Sequence, residues 1–214
     1  MNFAKARLNM VECQLRPNKV TDPRLLAAMG EVPREAFLPP DAQPLAYVDE
    51  DVVAAPGRVL MEPMVFARLV QEAGVGEGTR VLVVAAGLGY GAAVLARVGA
   101  RVVALEAPGA VADALAARRI GAAVVTGPLA DGWPGQSPYD VILIEGAVEV
   151  VPEALEAQLA EGGRLMAVIA SGRRGVLGLA VRRLKVAGTV TEVPLFDAGT
   201  PVLPEFRRAP AFVF

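Results

Sequence analysis

Residues Val81 to Ala96 read VLVVAAGLGYGAAVLA, an apolar run that passes through a glycine turn into a helix-like segment. A strand-to-helix turn of this kind gathers backbone N–H groups and the positive end of a helix, which suits a nucleotide-like ligand. Gly87 and Gly89 allow close backbone approach, and Gly91 allows the helix to lie close to the sheet. Ordinary helix–sheet packing also favours small residues, so the turn alone discriminates little. Glu106 adds the discrimination: it ends the run VVALE about 20 residues past the turn, where an acid can accept both hydroxyls of a ribose. Turn and acid together predict an adenosine-type ligand. Tyr90 is expected either to close over that ligand or to join the core. Glu145, at the end of a later strand, is expected as a solvated strand end at the pocket rim.

Composition removes several competing chemistries. The chain has no histidine and one cysteine, Cys13, so Ser-His and Cys-His nucleophile pairs, cysteine-rich zinc sites and disulfides within the chain are all excluded. No metal site is expected, and Cys13 is expected as a half-buried helical residue. With 21 basic and 23 acidic residues, and no basic cluster denser than Arg173-Arg174 or Arg182-Arg183-Lys185, a nucleic-acid partner is not expected. No run approaches the roughly 20 apolar residues of a membrane span, and the N-terminal residues lack a signal-peptide pattern. The expected compartment is the cytoplasm; the oligomeric state is left open.

The elements that must hold the turn and the acid follow from periodicity. Apolar spacing predicts helices over Phe3 to Gln14 and Asp22 to Met29, then a proline-rich ordered loop from Val32 to Pro63 of the kind that forms lids or binding segments. Helix Met64 to Ala73 precedes strand Arg80 to Ala85, helix Tyr90 to Val98 and strand Arg101 to Glu106. Helix Gly109 to Arg119, strands Ala122 to Thr126 and Tyr139 to Glu145, helix Val151 to Ala160 and strand Arg164 to Ala170 continue the alternation. Gly178 to Lys185, Thr189 to Phe196 and Ala209 to Phe214 are expected as antiparallel edge strands. This order predicts an α/β fold, a doubly wound and mostly parallel Rossmann-like sheet. Residues 1–63 would form N-terminal helices and a lid segment packed on an α/β domain of residues 64–214.

Several runs resemble the protein-L-isoaspartate O-methyltransferase family. They are MVECQLRPNKVTDPRLLAAMGEVPREAFLPP, LAYVDEDV, VLMEPMVFARLVQEA, and GPLADGWPGQSPYDVILIEGAVEVVPEALEAQLAEGGRLMAVI. The resemblance implies a methyltransferase sheet with N-terminal helices folded over the site, S-adenosylmethionine as cofactor, and methyl transfer to an isoaspartyl or related carboxylate of a protein or small molecule. It places Gly87, Gly89, Tyr90, Glu106 and Gly127 at the cofactor and Met61 and Glu62 at the substrate; it assigns no catalytic side chain. An ionised carboxylate and an activated sulfonium need alignment and electrostatics more than proton transfer, which suits a chain without histidine.

The departures from the family pattern cluster in this pocket. Val83 stands for the acid of the first strand, Ala85 for the first loop glycine and Leu88 for a small polar residue. Gly127-Pro128-Leu129 stands for Gly-Asp-Gly, whose acid faces the adenine. Met61 stands for the serine that contacts the substrate carboxylate, and Glu62 adds negative charge beside it. Asp49, Asp51 and Glu145 are acids that could have taken new roles. A second reading is therefore a methyltransferase fold kept as a catalytically inactive binding or assembly module. A nicotinamide-dependent oxidoreductase is a weaker third, because its fingerprint would want glycine at Ala85.

Overall fold

The computed structural model describes residues 2–171 and 177–208. Helix α1 (Phe3–Met10) runs into a π-turn over Val11–Leu15, and α2 (Pro23–Glu31) is capped by Asp22, whose side chain accepts from the N–H groups of Arg24 and Leu25. The proline-rich segment that follows forms 3-10 turns and then a two-stranded antiparallel hairpin, β1 (Val52–Ala55) and β2 (Arg58–Leu60). That hairpin is not foreseen from the sequence, since four residues beside prolines carry little periodicity. Gly57 makes its turn possible with φ +70°.

The central sheet takes its strands from β3 (Arg80–Val84), β4 (Arg101–Glu106), β5 (Ala123–Thr126), β6 (Tyr139–Val148), β7 (Leu159–Ser171), β8 (Leu177–Val186) and β9 (Thr189–Ala198), in the order β5-β4-β3-β6-β7-β8-β9. Pairings from β5 through β7 are parallel; β8 and β9 add antiparallel at one edge. Helices α3 (Pro63–Ala73), α4 (Tyr90–Val98), α5 (Ala110–Ala116) and α6 (Glu153–Ala157) complete the expected α/β architecture. The strand expected over Ala209 to Phe214 lies outside the described residues.

Chain order reverses between β4 and β6, on either side of β3, so the carboxyl ends of these three strands open onto the switch point where ligands bind in such sheets. Strand alternation decides what faces it. Val81 and Val83 join the core with α1 to α4, whereas Leu82 and Val84 join the core with α6. Glu106 shares the parity of Val102 and Ala104, and Glu145 that of Val141 and Leu143, so both acids belong to the face covered by the N-terminal helices.

Three local expectations need correction. Cys13 is exposed, because it lies on the outer side of the π-turn, between the buried Val11 and Leu15. Helix α6 stops at Ala157, since the chain is needed from Leu159 onward in β7, where Gly162 takes φ +75°. Strand β6 continues past Glu145 to Val148, so Glu145 is not a strand end.

The glycine turn itself is tightly packed. Gly89 has φ +93°, and a Cβ there would lie 2.7 Å from Leu115 Cδ1 and 3.0 Å from Ile120 Cδ1. Gly78 also has positive φ, +76°, but open space beside it. Gly89→Ala is therefore expected to cost about 2 to 5 kcal/mol, summing left-handed strain and overpacking, against about 1 to 2 kcal/mol for Gly78→Ala. Chemical denaturation of the two variants checks this, and equal losses would contradict the packing role of Gly89.

Candidate functional site

The end of β4 carries the Glu106 side chain into the fold, where its residue is 0% exposed. Two backbone amides meet it: Gly87 N–H donates to Oε2 at 2.7 Å and Ala107 N–H to Oε1 at 2.7 Å. These alone would leave a buried negative charge without a counter-charge. Arg58, at the start of β2, supplies one, its Nε lying 3.1 and 3.0 Å from the two carboxylate oxygens and its Nη2 2.6 Å from Oε1. The same guanidinium donates to Glu205, through Nη2 at 2.7 Å and Nη1 at 3.2 Å, and Nη1 also donates to the Gly57 carbonyl at 2.9 Å. Burial works against the Arg58 charge, but the hydrogen bonds and charges of Glu106 and Glu205 outweigh it and raise its pKa above the ordinary value. Removing one partner of so buried a pair characteristically costs about 3 to 5 kcal/mol.

Three chain segments converge on this ion pair. The Pro56-Gly57 turn brings Arg58 over the glycine loop, such that a Cβ on Gly87 would lie 3.7 Å from Arg58 Cβ. The C-terminal segment is tied to β6, with Ala147 N–H donating to the Pro201 carbonyl at 3.0 Å and Leu203 N–H to the Ala147 carbonyl at 2.9 Å. That tether delivers Glu205 from a 3-10 turn over Pro204–Phe206.

Below the hairpin lies a second buried polar group. Arg34 is 0% exposed; its Nε donates to the Ala46 carbonyl at 2.6 Å, its Nη2 to the Met61 carbonyl, and its Nη1 finds no hydrogen-bond partner. Its guanidinium lies 5.0 Å from the centre of the Tyr90 ring, which packs against Phe37 and Phe66 with ring centres 5.6 and 5.8 Å away. Burial lowers the Arg34 pKa and raises that of Tyr90. Glu145 faces the same region from β6. Its Oε1 has no hydrogen-bond partner, and a Cβ on Gly91 would overlap its carboxyl. Burial, reinforced by the Glu106 charge and opposed by Arg34, pushes the Glu145 pKa up to about 8. The expectation of a solvated Glu145 is thus overturned, because α4 and Phe66 of α3 close over this part of β6.

The residues singled out from sequence fall into separate groups. Gly87 and Glu106 touch through a hydrogen bond, and Gly127 N–H donates to the Glu106 carbonyl at 3.1 Å. Gly89 turns its bare side toward Leu115 and Ile120. Tyr90 belongs to the aromatic group with Phe37 and Phe66, while Met61 is buried and engaged through its carbonyl. Glu62 caps α3 without a side-chain bond, and its N–H donates to Asp51 Oδ1 at 2.6 Å. Burial together with Asp49, Asp51 and Glu50 pushes the Glu62 pKa up to about 7. Ala85 holds φ +60° at the position where the family pattern has glycine, a conformation costly to a side chain.

Sequence reading missed Arg58, Glu205 and Arg34. Arg58 did carry a signal, a single charge in the otherwise uncharged run GRVLM that ends at Met61. Glu205 carried none, lying 147 residues from its partner.

As long as Arg58 is paired with Glu106, this arrangement leaves S-adenosylmethionine no free acceptor for its ribose. A carboxylate offers about four lone-pair sites, and those of Glu106 are taken by Gly87, Ala107 and Arg58, so a ribose diol has no place while Arg58 is seated. Val83 offers no acceptor to a ligand ammonium, and Pro128 offers neither an acid nor a backbone N–H to an adenine. Among the described residues no group of three or more Cys, Asp or Glu could hold a metal ion, and no helix is long and apolar enough to cross a membrane.

Comparison with known proteins identifies the family of the chain. The model of the protein-L-isoaspartate(D-aspartate) O-methyltransferase family matches residues 6–195. The chain belongs to this family. A protein-L-isoaspartate O-methyltransferase of Methylorubrum populi is 44% identical over 165 residues, covering 75% of this chain and 78% of the relative. One from Rhodopseudomonas palustris is 38% identical over 201 residues, covering 88% and 92%. A solved protein-L-isoaspartate O-methyltransferase superposes with a TM-score of 0.77 at 27% identity, over 92% of this chain and 65% of that one. A Plasmodium falciparum protein of the same class, in complex with S-adenosyl-L-homocysteine, shares the fold with a TM-score of 0.76 at 17% identity, over 96% and 99%. The family's fold is that of S-adenosylmethionine-dependent methyltransferases.

The raised Glu145 pKa makes a pH prediction. An acid that holds its proton more tightly when folded stabilises the fold below its unfolded pKa, and that contribution is lost as pH rises from about 4.5 to about 8. The loss is expected to be on the order of a few kcal/mol. Between pH 5 and pH 8.5 the thermal midpoint of the wild type should fall further than that of Glu145→Gln, which keeps the shape of the neutral acid. Parallel curves for the two proteins would contradict a protonated, buried Glu145.

Proposed function

We propose that this chain is an S-adenosylmethionine-dependent methyltransferase that methylates a carboxylate of the isoaspartyl type on a protein substrate. The observation that carries the reading is the pairing of Gly87 N–H with the Glu106 carboxylate at the switch point of the sheet, in a chain whose residues 6–195 match the family. Bound there, the cofactor would supply an activated methyl group, and the acceptor carboxylate would need no base. At the acceptor side, Met61 brings no hydroxyl and Glu62 brings a carboxyl with a pKa of about 7. In its neutral form Glu62 does not repel an anionic acceptor and can donate a hydrogen bond to it; in its ionised form it repels the acceptor.

One observation favours a second reading, in which the fold serves as a non-catalytic module: Val83, Pro128 and Met61 remove three family contacts while Arg58 occupies the fourth. Calorimetry with S-adenosylmethionine and S-adenosylhomocysteine, with labelled methyl transfer to an isoaspartyl peptide, separates the two. The methyltransferase reading expects heat for both ligands, its loss in Glu106→Ala, and several-fold faster transfer at pH 6 than at pH 8. No heat for either ligand at millimolar concentration would leave only the module.

A further inference from the structure

We infer that Arg58 is an internal competitor for the ribose carboxylate, so that cofactor enters only as Arg58 lets go of Glu106 and the hairpin turn separates from the C-terminal segment. The inference rests on the methyltransferase reading above and adds to it the residue that sets cofactor affinity. Its basis is stoichiometric. The two amides that meet Glu106, Gly87 N–H and Ala107 N–H, belong to backbone that also builds the sheet end and stay in place when a ligand arrives. Among the described residues, the one partner of Glu106 that can be exchanged is the guanidinium, which reaches it from a hairpin of two short strands. A diol offers two O–H donors to the positions that Arg58 Nε and Nη2 now serve.

Glu205 makes the contact a latch rather than a simple plug. It holds Arg58 from the far side at 2.7 and 3.2 Å with its own side chain 32% exposed, and Gly57 lies so close to Pro204 that a Cβ would come within 3.3 Å of Cγ. Hairpin turn and C-terminal segment therefore close over the end of β4 as one unit. Weakening the Glu205 side of Arg58 should ease opening without touching the carboxylate that the ligand needs.

The test is titration calorimetry of S-adenosylhomocysteine against the full chain as wild type, Arg58→Ala, Glu205→Gln and the double variant Arg58→Ala/Glu106→Gln. Arg58→Ala is expected to bind at least tenfold more tightly than wild type, Glu205→Gln severalfold more tightly, and the double variant to lose the gain. If Arg58→Ala does not fold by circular dichroism, Glu205→Gln decides, since it leaves the buried pair intact. Wild-type affinity unchanged or weakened in both single variants would overturn the latch while leaving the methyltransferase reading standing. Absence of binding in every folded variant at millimolar ligand would overturn both.

Discussion

Ending a strand on a buried carboxylate obliges the chain to bring that carboxylate a counter-charge, because desolvation of an unpaired ion costs several kcal/mol. Around Glu106 this obligation organises the upper face of the molecule. Arg58 meets it, which holds the β1–β2 hairpin against the glycine loop; Arg58 in turn pairs with Glu205, delivered by the C-terminal segment that is hydrogen-bonded to β6. One electrostatic requirement thus joins three segments that are far apart in sequence. It also gives Glu106 a structural partner of its own in a region where Val83, Pro128 and Met61 bring no charge.

The second polar group behaves differently. Arg34, Tyr90 and Glu145 are buried with at least one polar atom each lacking a partner. Glu145 is accommodated by a raised pKa and not by close pairing, whereas Arg34 rests its charge on backbone carbonyls and the face of the Tyr90 ring. A Glu145 carboxyl with a pKa of about 8 is mostly neutral at pH 7, which spares the core a second negative charge near Glu106. Gly91 is the packing counterpart of this choice, as any side chain there would collide with the Glu145 carboxyl. The third glycine of the turn therefore serves the helix–sheet contact, and Gly87 alone serves the acid.

Much of this was legible in the sequence, for identifiable reasons. The β-branched runs Arg80–Val84 and Arg101–Glu106 announce buried parallel strands, and Gly87 followed by Glu106 marks the switch point because both lie on one local strand–turn–helix–strand unit. The hairpin was not legible: its strands have four and three residues, too few for alternation to register. The Arg58–Glu106 pair spans 48 residues and the Arg58–Glu205 pair 147, and local patterns carry no information on which distant charge fills a pocket. Glu145 was not legible because β6 resumes its pairing with β7 beyond an irregularity after Leu143, and because the cover over it comes from α4 and from Phe66 of α3, neither of which local alternation records.

In the proposed latch, Arg58 and a nucleoside exclude each other at Glu106. A crystal structure of the protein with S-adenosylhomocysteine bound tests it most directly. The expected result is the ribose hydroxyls on the Glu106 carboxylate and the Arg58 guanidinium withdrawn beyond hydrogen-bonding distance from it. A bound nucleoside with the Arg58–Glu106 pair intact would contradict it.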